Sequence, residues 1–139
     1  GGSLLGHHHA FTPRLAEGAW LAGRPEVRAM MDVSDGLAKD LNSLTPDGLA
    51  PALEAKAIPV SAAARRRART TRKTPLAHAL GDGEDYELLF TMPADAKIPR
   101  SVAGTPVTRI GAMVKGKPGQ VRVPGGVLRP LGYDHFRKT

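Results

Sequence analysis

Asp32-Val33-Ser34-Asp35-Gly36-Leu37 stands where two local patterns meet. Before it, Ala29-Met30-Met31 is a short apolar run of strand character. After it, Leu37, Leu41 and Leu44 recur at helical spacing and predict a helix over 36–44. Two carboxylates and a hydroxyl are therefore placed at a strand-to-helix junction. The first turn of a helix carries unpaired N–H groups and the positive end of the helix dipole. Hard oxygen ligands beside such an end suit the task of holding Mg²⁺ against a phosphate chain. Helix capping by Ser34 or Asp35 accounts for one polar residue, and it leaves Asp32 at the strand end without a role. Capping and ligand binding are compatible.

Working outward, 139 residues suffice for one domain with a real core. An apolar fraction of 41% and a charged fraction of 24% are those of an ordinary globular protein. Aromatic residues make up only 4%, so Leu, Val, Ala, Met and Ile must build that core. No apolar stretch approaches the ~20 residues of a membrane span. No basic start followed by an apolar block marks a signal peptide. The absence of Cys rules out disulfides and thiolate metal sites and fits a cytoplasmic protein.

The net charge of +7 suggests phosphates or polyanions as partners. Much of it is local, in Arg65, Arg66, Arg67, Arg69, Arg72 and Lys73. That run has no interleaved aromatic residues to stack on bases, so a solvated helix face is expected and nucleic acid is not the expected partner.

Along the chain, Gly1 to Ala10 is expected to be flexible, and three adjacent histidines (His7-His8-His9) make a poor ligand set. Thr12 and Pro13 predict the cap and first residue of a helix to about Leu21. Strands are expected over 27–33, 49–57, 86–91 and 107–114, the last interrupted by Gly111. Ser61 predicts a cap for a helix through Arg69, Thr74 to Leu80 a second short helix, and Pro93 to Ala96 a helical turn. Gln120 to Val123 is expected to pair back on the preceding strand as a hairpin, with Val127-Leu128 as a last strand. This order predicts one α/β (α+β) domain, a mixed sheet with helices packed on it.

A second dense segment is Gly83-Glu84-Asp85-Tyr86-Glu87-Leu88-Leu89-Phe90. Its acids follow a glycine loop at a strand mouth, a usual place for ligand contacts. Glu87 reads as a solvated or structurally hydrogen-bonded residue.

At this point the chain resembles the thiamine-monophosphate kinases. Asp32 to Leu41 looks like the second-domain signature of that family, and Gly83 to Phe90 like its next one. Weaker matches follow in family order at Thr12-Pro13-Arg14-Leu15, Ile58-Pro59-Val60 and Gly132-Tyr133-Asp134-His135-Phe136. Relatives in the wider aminoimidazole-ribonucleotide-synthetase-like superfamily, selenophosphate synthetase among them, differ at the first motif.

The resemblance implies ATP- and Mg²⁺-dependent phosphorylation of thiamine monophosphate to thiamine diphosphate. It implies Asp32 and Asp35 as Mg²⁺ ligands, with Asp35 at the catalytic centre, and Ser34 as a contact to the ATP phosphates. It implies Glu84 as a substrate contact, with Asp85 as the alternative acid, and Tyr133 stacked on the thiamine. Asp82 stands where the family usually has a second Gly. The family's N-terminal domain, with most metal carboxylates, much of the nucleotide site and the main dimer interface, has no counterpart in these residues. The chain is thus expected to be a C-terminal kinase domain that is inactive alone, completed by an ATP-binding domain and homodimeric in the full-length protein. The competing expectation is a non-catalytic module binding phosphorylated ligands or another chain. A domain without its partner is also expected to expose apolar surface.

Overall fold

The computed structural model describes residues 11–117, 119–123 and 126–128. His7, His8, His9 and Tyr133, with the rest of the Gly132 to Phe136 motif, lie outside the described residues.

Helix α1 is Leu15–Ala22, and its N-cap is Arg14 with no side-chain cap. The expected cap at Thr12 is not used; the cap position falls two residues later, on Arg14, which also makes a tertiary contact. The Arg14 guanidinium donates to both carboxylate oxygens of Glu87, at 2.7 and 2.9 Å. The Arg14 carbonyl accepts from Gly18 N–H at 2.8 Å, which fixes where the helix begins.

Strand β1, Ala29–Asp32, later pairs antiparallel with β3, Leu88–Thr91, in the register Asp32↔Leu88 to Ala29↔Thr91. Between them come α2 (Leu37–Leu44), β2 (Leu49–Leu53), α3 (Ala62–Ala68) and α4 (Pro75–Gly81). The last two helices begin where capping chemistry predicts. Ser61 Oγ accepts from Ala64 N–H at 3.0 Å and Thr74 Oγ1 from Ala77 N–H at 3.1 Å. Strand β2 stops at Leu53 rather than Ala57, because the chain turns there, with Ala57 N–H donating to the Glu54 carbonyl at 2.8 Å. Residues 93–96 make a turn and no helix. A short hairpin of β4 (Ser101–Val102) and β5 (Thr105–Pro106) follows; the sequence pattern did not signal it. Its connection places Ala103 at a left-handed φ of 48°.

Strands β6 (Gly111–Lys115), β7 (Val121–Val123) and β8 (Gly126–Leu128) complete a mixed sheet in the order β6-β2-β7-β8. The expected pairing of β7 back onto β6 does not occur. Strand β2 lies between them, antiparallel to β6 and parallel to β7, and β7 makes its hairpin with β8. Gly111 explains part of this. A Cβ there would stand 2.2 Å from the Ala52 carbonyl oxygen, so glycine permits a close approach of β6 to β2. Asn42 Oδ1 accepts from Gly119 N–H at 2.6 Å and ties the following connection to α2.

One apolar core joins these parts. Leu37, Ala38 and Leu41 of α2 pack with Val33, Leu53, Ile58, Leu80, Leu89 and Val121. Full burial of each large aliphatic side chain contributes about 1.5–3 kcal/mol. The core fixes α2 against the β1–β3 pair and the four-stranded sheet and so fixes the loop that precedes it.

Candidate functional site

The antiparallel ladder of β1 and β3 continues beyond the strands into both sequence motifs. Val33 N–H donates to the Glu87 carbonyl and Tyr86 N–H to the Val33 carbonyl, each at 2.9 Å. Glu84 N–H then donates to the Ser34 carbonyl at 2.8 Å. The two motifs, nearly fifty residues apart in sequence, are thereby joined backbone to backbone.

Glycine makes the contact possible on each side. A Cβ on Gly83 would stand 2.5 Å from the Ser34 carbonyl oxygen. Gly36 has a φ of +112°, and a Cβ there would lie 3.2 Å from the Gly81 backbone and 3.3 Å from the Asp82 carbonyl. Any side chain at either position would part the two loops.

Asp32 is exposed at the end of β1, while Ser34 and Asp35 are half-buried in the loop beyond it. Neither Ser34 nor Asp35 caps α2; Gly36 is the N-cap and no side chain caps it. The Asp35 carboxylate instead pairs with Lys39 Nζ at 2.7 Å, one helical turn on.

Loop geometry is set by a residue that sequence reasoning passed over. Asp40 is only 3% exposed, and its Oδ2 accepts from Ser34 N–H at 2.9 Å and Asp35 N–H at 3.0 Å. Burial pushes the Asp40 carboxyl above its ordinary value, opposed by these backbone N–H donors and reinforced by the nearby Asp35 charge. Its signal in the sequence is an acid flanked by Leu37, Ala38 and Leu41 on the buried side of an amphipathic helix.

In the second motif, Glu84 and Tyr86 adopt left-handed backbone conformations, with φ of 67° and 52°. Such angles cost a non-glycine residue about 1–2 kcal/mol each and persist where the surroundings hold them. The Tyr86 ring stacks on Phe11 with centroids 4.4 Å apart. Glu87 is held by Arg14, which agrees with its reading as a structural hydrogen bonder. Beside this pair, the Thr105 hydroxyl donates to Glu17, and a cavity of about 90 Å³ is lined by Leu21, Phe90 and Val102.

Among the described residues no three acids or histidines come together as a metal-binding group. Asp32 at the end of β1 and Asp35 in the loop beyond it each carry a carboxylate, a hard-oxygen donor. Mg²⁺ characteristically takes one or two protein carboxylates and completes its octahedron with phosphate oxygens and water. The pair fits part of such a ligand set.

No family model matches the chain. The thiamine-monophosphate kinase of Rhodopirellula baltica is 44% identical over 117 residues, covering 82% of this chain and 37% of that protein. The thiamine-monophosphate kinase of Aquifex aeolicus is 35% identical over 111 residues, covering 79% of this chain and 34% of that one. Among solved structures, AaThiL complexed with AMPPCP and TMP superposes with a TM-score of 0.75 at 31% identity, over 96% of this chain and 41% of that chain. The chain thus spans about two-fifths of the length of the curated relatives it matches.

Proposed function

We propose that this chain, which belongs to the thiamine-monophosphate kinase family, is the C-terminal, substrate-side half of an ATP-dependent kinase that converts thiamine monophosphate to thiamine diphosphate. The observation that carries the reading is the backbone junction of the two motifs, Glu84 N–H on the Ser34 carbonyl. It brings the Asp32–Asp35 loop and the Glu84 loop to one end of the β1–β3 ladder. The neighbour complexed with AMPPCP and TMP supports a nucleotide and a thiamine phosphate as the two ligands.

Phosphoryl transfer between two polyanions demands charge neutralisation and in-line positioning more than covalent chemistry by the protein. In this proposal Asp32 and Asp35 hold Mg²⁺, which when bound neutralises phosphate charge. Ser34 donates its hydroxyl to the nucleotide phosphates. Asp40, by holding Ser34 and Asp35 through their backbone, keeps hydroxyl and carboxylate in register. Glu84 contacts the thiamine phosphate, with Asp85 as the alternative, and Tyr133 offers an aromatic face to the cationic thiazolium. The remaining carboxylates and the nucleotide pocket belong to an N-terminal domain, and the full-length enzyme is a cytoplasmic homodimer. Among the described residues no helix is long and apolar enough to cross a membrane.

The test is a coupled ATP-consumption assay with thiamine monophosphate and Mg²⁺, run on this chain alone and mixed with the N-terminal domain of a related kinase. Turnover only in the mixture is the expected result. Tight thiamine-phosphate binding by the chain alone, with no turnover on adding the second domain, would replace the proposal with a binding module.

A further inference from the structure

Residue His78 of α4 is 2% exposed and is used at both ring nitrogens. Its Nδ1 lies 2.9 Å from Asp82 Oδ2 and its Nε2 2.7 Å from the Thr71 hydroxyl. A carboxylate only accepts, so the ring proton sits on Nδ1, and in the neutral tautomer Nε2 accepts from Thr71. The Nε of Arg67 stands 3.6 Å from the same Asp82 oxygen, adding a cation from α3 at a distance longer than a hydrogen bond. Asp82 has φ −82° and ψ 136°, an extended conformation open to any residue. Its backbone N–H also donates to the His78 carbonyl at 2.9 Å.

This cluster lies immediately before the strained part of the site. Gly83 lies where only the absence of a side chain leaves room for the Ser34 carbonyl, and Glu84 and Tyr86 are held at positive φ. Strain of that kind needs restraint at both ends. On the C-terminal side the restraint is the pairing of β3 with β1. On the N-terminal side, the buried tether of Asp82 to α4 supplies it.

We propose that Asp82, gripped by His78 and backed by Thr71 and Arg67, is a positioning residue that holds the 83–86 loop against Ser34 and so sets Glu84 for the phosphorylated substrate. The substrate part rests on the kinase reading above; the tether itself does not. The deciding measurement is therefore amide hydrogen exchange by NMR on this chain, at Glu84 and Tyr86. Asp82→Ala should speed exchange at both amides about tenfold or more while the Ala52 and Val114 amides of the β2–β6 pair keep their protection. Asp82→Asn, which retains an acceptor for His78, should restore most of it. Unchanged protection at Glu84 and Tyr86 in a folded Asp82→Ala would overturn the tether. Should that variant fail to fold, Thr71→Val, at an exposed position, is read the same way with a smaller effect.

In the assembled enzyme, Asp82→Ala should raise KM for thiamine monophosphate several-fold with kcat within about twofold. An unchanged KM would overturn the positioning role even with the tether intact. Absence of turnover in the parent enzyme would count against the kinase reading alone.

Discussion

Asp40 Oδ2 accepts hydrogen bonds from the backbone of Ser34 and Asp35 across 2.9 and 3.0 Å, so a buried acid on α2 shapes the loop that the two motif acids flank. Asp40→Ala would leave two amides without their acceptor. Loss of a buried acceptor costs about 1–3 kcal/mol, and urea unfolding should show a loss of that order. Asp40→Asn keeps an oxygen in place and should lose less.

The same residue gives a pH signature. Burial raises the folded-state pKa of Asp40 above its unfolded value. Its contribution to stability is therefore fully present below the unfolded pKa, about 3.9, and is lost as pH rises through the raised folded value. Asn does not titrate. Asp40→Asn should accordingly gain stability relative to the parent between pH 3 and 7, measured by thermal unfolding across roughly that range. A difference that stays flat with pH would contradict the assignment.

Glu17 should behave in the opposite sense. The hydroxyl of Thr105 is the main influence holding its carboxyl below the ordinary value of 4.5. That stability is present above 4.5 and is lost as pH falls through the folded pKa. Thr105→Val removes the donor, so the parent's advantage over this variant should shrink on acidification. Parallel melting curves at neutral and acid pH test the point.

Asp32→Ala and Asp35→Ala should leave the fold nearly intact, since Asp32 is exposed and the Asp35 carboxylate is half-buried, paired with the partly exposed Lys39. Exposed substitutions and pairs of that kind change stability by about 0.5 kcal/mol. In the assembled kinase each should lower turnover by about 10²-fold or more, the scale of losing a charge-stabilising group in the transition state. Normal turnover in both variants would remove these carboxylates from the proposed site.

Gly83→Ala should be clearly destabilising. Its Cβ would meet the Ser34 carbonyl oxygen at 2.5 Å, a backbone atom that cannot swing aside as a flexible side chain could. Forcing extra atoms into a packed contact costs about 1–3 kcal/mol. The variant should also lose protection at the Glu84 amide, which donates across the same contact.

Short-range physics made much of this protein legible from its residues. Ser61 and Thr74 start α3 and α4 where their hydroxyls can cap, and Leu37 and Leu41 bury the face of α2 that their spacing indicates. The two motifs were visible as dense polar segments, and their family resemblance agrees with the relatives found. Other features needed the folded chain, because they depend on partners far away in sequence. Helix α1 has Arg14, which is bound to Glu87, at its N-cap, against the local signal of Thr12 and Pro13. Gly111 read as a break in a strand, yet its missing side chain lets β6 approach β2, and β2 separates two strands expected to pair. Asp40 looked like an ordinary acid in a helix until the core placed it under the Ser34 loop. Capping and periodicity act within one or two turns of chain, and the sequence carries them openly. Strand order, backbone contact between motifs and the burial of one carboxylate are decided by which distant surfaces the core brings together.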